Sequence, residues 1–325
     1  MLSNTKNMAN MPKTQVKRAQ AATKNVANKK QTVTTTKPVV PPEKHDIRPG
    51  QSVALLQELH ILTRDGKLNQ DSRRKLKQVY HLFNFIEPLL KSVQAQHADV
   101  TLVDHGAGKS YLGFILYDLF FKAHAPLGKI VGVETRDALV QRSAALAQQF
   151  GFKGMDFLNL SVEQASSSQR LPGRIDIVTA LHACNTATDD AIAFGIAHHA
   201  QHMVLVPCCQ AEVAVNLRAN KSRADAANPM TELWRHPLHT REFASHTTNV
   251  LRCLQLEAHG YSVTVTELVG WEHSMKNELI IATRNTSPQR KTALRSAERL
   301  QAMLSQMGLD EMRPRFFTPL VQAGS

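Results

Sequence analysis

Cysteine is scarce in this chain: four residues among 325, at Cys184, Cys208, Cys209 and Cys253. They are too few and too unevenly spaced for a disulfide framework or a zinc site. No metal is therefore expected, and a reducing, cytoplasmic location is. Long apolar runs are missing as well. No stretch of 18 consecutive apolar residues occurs, which argues against a spanning helix and a membrane partner. No apolar segment of a secretory leader stands near the first residue, so none is expected. Aromatic residues make up only 6% of the chain, and residues 1–48 contain none. Acidic residues are absent before Glu43. An acid-free start fits a mitochondrial transit segment, but this one is rich in lysine rather than arginine and has no amphipathic face.

What residues 1–48 do hold is positive charge. Eight Lys and two Arg stand against Glu43 and Asp46, giving 10 − 2 = +8 of the formal +12. Such a segment has too little apolar surface to offset the entropy of ordering. A disordered basic tail is expected, either touching a polyanion such as nucleic acid or serving as a solubilising extension. Hydrophobic residues, at 42%, are ample for a core in the remainder.

Segment 49–97 reads as helical. "SVALLQELHIL" gives one short helix, and Asp65-Gly66 breaks it. Asn69 can cap a second, in which Leu76, Val79, Tyr80, Phe83, Ile86 and Leu90 fall mostly three or four apart. Its early turns carry Arg73, Arg74, Lys75 and Lys77. Such a run is either a solvated face or a surface that meets phosphates, with Arg73, Arg74 and Lys77 as candidates. Segment 98–285 then alternates. Strands are expected at 100–104, 130–134, 155–160, 175–181 and 203–207, and helices at 109–123, 136–150, 161–168 and 187–200. A basic loop follows (Arg218, Lys221, Arg223), then a helix near 240–259 and two strands, "YSVTVTELV" and "ELIIATR". Their short connection makes that last pair antiparallel. The expected fold is α/β: a doubly wound, seven-stranded sheet of five parallel strands and an antiparallel terminal hairpin, preceded by helices. A Rossmann dehydrogenase would show six parallel strands instead. Segment 286–325 is a last helix and tail, with Leu294, Leu300, Leu304 and Met307 as packing residues.

The most informative stretch is "VDHGAGKSYLGFIL", residues 103–116. Its Gly108-Lys109-Ser110 matches the end of a P-loop, but the first glycine of that motif would fall at Val103. Strand, acid, glycine turn and helix fit better, an arrangement similar to class I S-adenosylmethionine (SAM) methyltransferases. In a doubly wound sheet the ligand lies at the carboxyl ends of the strands. Asp104, Gly106 and Gly108 would then border the methionine part of SAM, the glycines allowing close backbone approach. Glu134, ending the second strand, would accept the ribose hydroxyls, a role a triphosphate site does not need. Ser161 and Val162 would line the adenine, Ser161 serving equally as a helix cap. NAD shares the ribose logic, but the terminal hairpin disfavours it.

At the acceptor end, His182 is a candidate general base. Cys184, Cys208 and Cys209 are candidate nucleophiles or small packing residues. Taken together, "DHGAGKSYL", "LHACNTATD", "PCCQ" and "EHSMKNELIIATR" resemble a class I methyltransferase domain family whose eukaryotic members include the glutathione-S-transferase-C-terminal-domain-containing protein. A fainter likeness is to tRNA 2′-O-methyltransferases of the acceptor stem. The resemblance covers roughly residues 60–284 and implies SAM as cofactor. The chain departs from the family pattern at Ser110, in place of glycine, and at Asn185, in place of aspartate. Ser110 is expected to narrow the cofactor pocket, and Asn185 cannot act as a base. The expected function is methyl transfer to RNA, tRNA or rRNA, at O or N. The alternatives are a protein or small-molecule methyltransferase, or an RNA-binding scaffold with a vestigial SAM fold.

Overall fold

The computed structural model describes residues 47–161, 164–165, 168–181, 186–207, 211–219, 229–268, 278–287 and 290–319. The basic tail expected over 1–48 lies outside them except for its last two residues. Contacts divide the chain into two units, Met1–His45 and Asp46–Ser325, and the described residues all belong to the second.

Two helices lead in, α1 (Val53–Glu58) and α2 (Gln70–Gln94). Asn69 caps α2 as its sequence suggests, its side chain accepting from the Ser72 amide at 2.8 Å. Leu76, Val79, Phe83, Ile86 and Leu90 are all buried along one stripe. Arg73, Arg74 and Lys77 are exposed. The strands are β1 (Thr101–His105), β2 (Lys129–Glu134), β3 (Met155–Asn159), β4 (Ile177–Leu181), β5 (His202–Val206), β6 (Tyr261–Glu267) and β7 (Glu278–Arg284). They form one sheet in the order β3-β2-β1-β4-β5-β7-β6. The first five pair in parallel, while β7 runs antiparallel to both β5 and β6. Between the strands come α3 (Tyr111–Leu116), α4 (Asp137–Gln149), α5 (Ala187–Ala197), α6 (Glu212–Ala219) and α7 (Pro237–Ala258), and α8 (Arg290–Gln306) follows the sheet.

Alternation along the strands splits the core between two faces. Leu102 and Ile130 pack under α1 to α4, whereas Val103, Val131 and Val178 pack under α5 and α7. A third cluster joins α6, α7 and α8 through Leu217, Leu251, Leu300 and Leu304. Of the four packing residues expected on α8, Leu300 and Leu304 are buried, while Leu294 and Met307 are half-buried. α3 continues through a π-helical segment, Tyr117–Phe121, where the buried Asp118 carboxylate accepts from the Ser52 amide at 2.7 Å. That contact ties the start of α1 to the sheet's helical layer. The last turn of α2 meets the amino edge of the sheet, where Ser92 bonds His202 at 3.2 Å. Its cationic first turns therefore extend toward the opposite, carboxyl edge. Among the described residues no helix is long and apolar enough to cross a membrane.

Candidate functional site

β1 and β2 end side by side at the carboxyl edge, with Asp104 opposite Gly132 and His105 opposite Val133. Beyond β1 the chain turns sharply. Gly106, Gly108 and Ser110 are left-handed, at φ 64°, 58° and 51°. The Ala107 amide donates to the Val133 carbonyl at 3.1 Å, and the Ser110 amide to the Ala107 carbonyl at 2.7 Å. The turn thus lies on β2. A Cβ at Gly132 would come 3.3 Å from Ala107 and 2.8 Å from the Phe157 ring, which is why that strand carries a glycine there.

Ser110 does not narrow the pocket as its sequence suggested. Its buried hydroxyl has no hydrogen-bond partner and lies where a Cβ on Gly113 would be 2.7 Å away, so it is turned into α3. A left-handed residue with a Cβ costs roughly 1–2 kcal/mol. Ser110→Gly should therefore stabilise the fold by about 1–2 kcal/mol, seen as a higher urea midpoint at unchanged m-value. An equal or lower midpoint would show that the turn is not strained.

Asp104 is buried and accepts from the Thr179 hydroxyl at 2.6 Å. Burial pushes its carboxyl up to about 7, against the smaller lowering by Thr179. An acid raised on folding stabilises below its unfolded value, and that contribution is lost as pH rises through the folded value. Stability should therefore fall between about pH 4 and 7, and Asp104→Asn should flatten that slope. Denaturant midpoints across this window compare the two proteins directly; parallel slopes would refute the account.

Glu134 ends β2, and every acceptor position of its carboxylate is used. Oε2 accepts from the Gly108 amide at 2.9 Å and from an Arg136 guanidinium nitrogen at 3.1 Å. Oε1 accepts from the Arg136 amide at 3.0 Å, Arg136 Nε at 2.9 Å and the Thr135 hydroxyl at 3.3 Å. Burial alone would raise this acid, but the Arg136 guanidinium and the two amides outweigh it and bring it down to about 2. The Gly108 amide therefore faces a carboxylate, where a P-loop would present it to a phosphate. Asn159 at the end of β3 braces the same corner, donating to the Thr135 carbonyl at 2.9 Å. Ser161 sits in a reciprocal cap: its hydroxyl accepts from the Gln164 amide at 3.2 Å, and its own amide donates to the Gln164 side chain at 3.0 Å.

The acceptor-end candidates His182, Cys184, Cys208 and Cys209 lie outside the described residues, as do Val162, Asn185, Lys221 and Arg223. Arg218 is exposed at the end of α6. Cys253 is the cysteine that is described, and burial pushes its thiol up to about 12. That makes it a packing residue rather than a nucleophile. Sequence reasoning missed the partners. The acids that follow the "HACNTAT" motif are structural: Asp189 holds Arg252 of α7 through two bonds of 2.6 and 2.8 Å, and Asp190 meets Arg315 at 3.4 Å. It also missed Arg136, although an arginine two residues beyond the strand-end acid was a visible signal.

Residues 74–216 match the family model described as a methyltransferase domain. The match covers less than half of the chain, and the sheet around it has the strand order of a class I methyltransferase fold. The chain is similar to the glutathione S-transferase C-terminal domain-containing proteins of Bos taurus, 24% identical over 240 residues, and Mus musculus, 25% identical over 239. Both alignments take in 68% of this chain and 35% of the relative, so the chain spans about a third of the length of these curated relatives. Among solved structures it is similar to magnesium protoporphyrin IX methyltransferase from Synechocystis with bound SAH, at 13% identity and a TM-score of 0.41, covering 71% of this chain and 94% of that one. It is also similar to a putative O-methyltransferase from Klebsiella pneumoniae, at 12% identity and a TM-score of 0.43, covering 74% and 93%.

Proposed function

We propose that this protein is a SAM-dependent methyltransferase that modifies RNA by direct transfer to oxygen or nitrogen. The observation that carries the cofactor is the buried, ionised Glu134 carboxylate facing the glycine turn. Two ribose hydroxyls need a paired acceptor at a strand end, and Glu134 supplies one. Gly106 and Gly108 leave backbone beside the methionine part free of Cβ atoms, Asp104 lies under the turn, and Ser161, with its sequence neighbour Val162, is the candidate for the adenine. SAM, when bound, supplies an electrophilic methyl group; the protein's share is placement of the acceptor. His182 is the candidate base, and direct transfer leaves Cys184 and Cys208 a packing role.

The ribose reading has one structural requirement. Five donors already fill Glu134, so the Arg136 side chain must leave before hydroxyls can bind. The guanidinium has room to swing out, its side chain being 66% exposed although the Glu134 carboxylate it leaves is buried. Its departure puts one more cation on the rim. The RNA reading rests on the +8 charge of residues 1–48 and on Arg73, Arg74 and Lys77 toward the carboxyl edge, with Arg218, Lys221 and Arg223 beyond β5. A second reading, an RNA-binding scaffold with an idle pocket, is favoured by that same saturated Glu134.

Two measurements separate them. Titration calorimetry with SAM should give binding, and total RNA incubated with protein and isotope-labelled SAM should yield labelled methylnucleosides by mass spectrometry. SAM binding with label only in protein would move the acceptor class. No SAM binding would leave the scaffold reading.

A further inference from the structure

The segment beyond α8, residues 313–317, lies against α7 as a strap. Phe316 is fully buried in the cluster that joins α6, α7 and α8. On either side of it the backbone is held by α7. The Gln255 side chain donates to the Arg315 and Phe317 carbonyls at 3.5 and 3.3 Å. The His259 ring meets the Phe317 ring edge-on, with its Nε2 3.3 Å from the Phe317 carbonyl. Arg315 reaches out of this strap to two further helices. Its Nη1 donates to the Asp190 carboxylate at 3.4 Å. Its buried Nε stands 3.3 Å from a Glu212 carboxylate oxygen, an ion pair without a formed hydrogen bond. Asp190 lies in the first turn of α5, and Glu212 opens α6. α5 follows β4 and α6 follows β5, so both first turns stand at the carboxyl edge, each shortly after one of the acceptor-end stretches that hold His182 and Cys208 in the sequence.

Fastening the strap does not require these pairs, because the burial of Phe316 already does it. Nor do they carry much stability. The side chains of Arg315, Asp190 and Glu212 are 31%, 44% and 37% exposed, and ion pairs at such exposure are weak. What the guanidinium alone does is join the two helix starts. Each acid suits its own helix amino end, but the two carboxylates share one cation and repel across the gap once it is removed. A planar guanidinium also has fixed donor directions, so it sets a spacing as well as an attraction. We propose that Arg315 is a positioning residue: by bridging Asp190 and Glu212 it sets the separation of the two acceptor-side helix starts, and with it the gap in which an acceptor meets the cofactor's methyl group. This rests on the methyl-transfer reading above and not on the choice of RNA.

The test uses the full-length protein, isotope-labelled SAM and total RNA, with label counted in both RNA and protein, so that the acceptor the wild type uses is the one followed. Arg315→Met should lower the rate at saturating SAM by up to about 100-fold, the scale of a misplacement of about 1 Å. The SAM concentration at half-maximal rate and the calorimetric SAM affinity should stay at their wild-type values. Arg315→Lys, which keeps the charge, should regain part of the rate. Asp190→Asn added to Arg315→Met should change little, because the acid acts through the arginine. Arg313→Met, on the same strap but paired with Asp310 at 2.6 Å, should leave the rate unchanged. Melting temperatures of the Arg315 variants should shift by less than about 4 °C. Hydrogen exchange in Arg315→Met should rise in the peptides holding the first turns of α5 and α6 and stay level in β1 to β3. An unchanged rate in Arg315→Met, an equal loss in Arg313→Met, or unchanged exchange in both first turns overturns the proposal and leaves the methyl-transfer reading standing. So does a loss seen only as a higher half-maximal acceptor concentration, which would make Arg315 a contact to the acceptor itself. No transfer by the wild type to either acceptor overturns the reading and the proposal together.

Discussion

Replacing Glu134 by alanine should lower SAM affinity at least ~10-fold, whereas replacing Arg136 by methionine should raise it. The two residues form one ion pair, with Arg136 Nε 2.9 Å from Glu134 Oε1, yet the ribose reading gives them opposite signs. Glu134 supplies the acceptors. A pair of charge-assisted hydrogen bonds is worth about 1.5–3 kcal/mol, and about 1.4 kcal/mol is tenfold in affinity. Arg136 is the competitor. Removing it spares the cofactor the displacement of a guanidinium from the Glu134 carboxylate, so affinity should rise. Methionine keeps much of the side chain's apolar bulk and removes only the donors. Calorimetry of the two variants decides the matter. Unchanged affinity in Glu134→Ala removes the ribose grip, and weaker SAM binding in Arg136→Met means that Arg136 holds the cofactor rather than yielding to it. Acid should separate the roles further. Because Glu134 is brought down to about 2, its contribution to stability is complete above its unfolded value near 4.5 and is lost as pH falls from there toward 2.

The sheet could be read from the chain because its signals are local. β7 runs over Glu278–Arg284, the same seven residues as the apolar run "ELIIATR", and the other strands begin and end within about two residues of their apolar runs. Tyr261–Glu267 precedes it with a connection too short for a crossover, which sets the antiparallel pairing without any tertiary information. α2 was equally plain, since Asn69 and the apolar stripe both mark it. What the chain did not show depends on side-chain direction or on distant partners. Nothing in the apolar spacing marks Tyr117–Phe121 as π-helical. Ser110 looked like a residue lining the pocket, and only its left-handed φ reveals that the hydroxyl is turned into α3. α7 begins at Pro237 rather than near 240 because proline suits the first helical position, a cue hidden by the polar surroundings. At the site, Asp104 and Glu134 could be placed from strand ends alone. The saturation of Glu134 could not, because it depends on the rotamer of Arg136.

The second large effect is expected far from the glycine turn, at the pair that closes the acceptor-side helices. Asp189 and Arg252 are 63 residues apart and both buried, with side chains 5% and 1% exposed. Arg252 also donates to Asn249 at 3.2 Å, and Asn249 donates to Glu278 of β7 at 2.7 Å. One chain of polar contacts thus links the first turn of α5, the middle of α7 and the start of β7. Removing one partner strands the other charge in the interior, which costs about 3–5 kcal/mol. Asp189→Ala should therefore lower the denaturant midpoint steeply. Asp190→Ala, one residue on and paired at 3.4 Å with the partly exposed Arg315, should cost at most about 1 kcal/mol. The double substitution Asp189→Leu with Arg252→Met should recover much of the loss, since apolar replacement of a buried pair is often neutral or better. A mild effect from Asp189→Ala, or a double variant no better than the single, would show that the pair does not carry the helices. Recovery has a functional corollary. α5 starts immediately after residues 182–185, the stretch holding the candidate base His182, and the ion pair fixes that first turn. If the double variant regains stability but binds SAM normally while losing methyl transfer, the buried charges serve to position the acceptor end rather than to stabilise the fold.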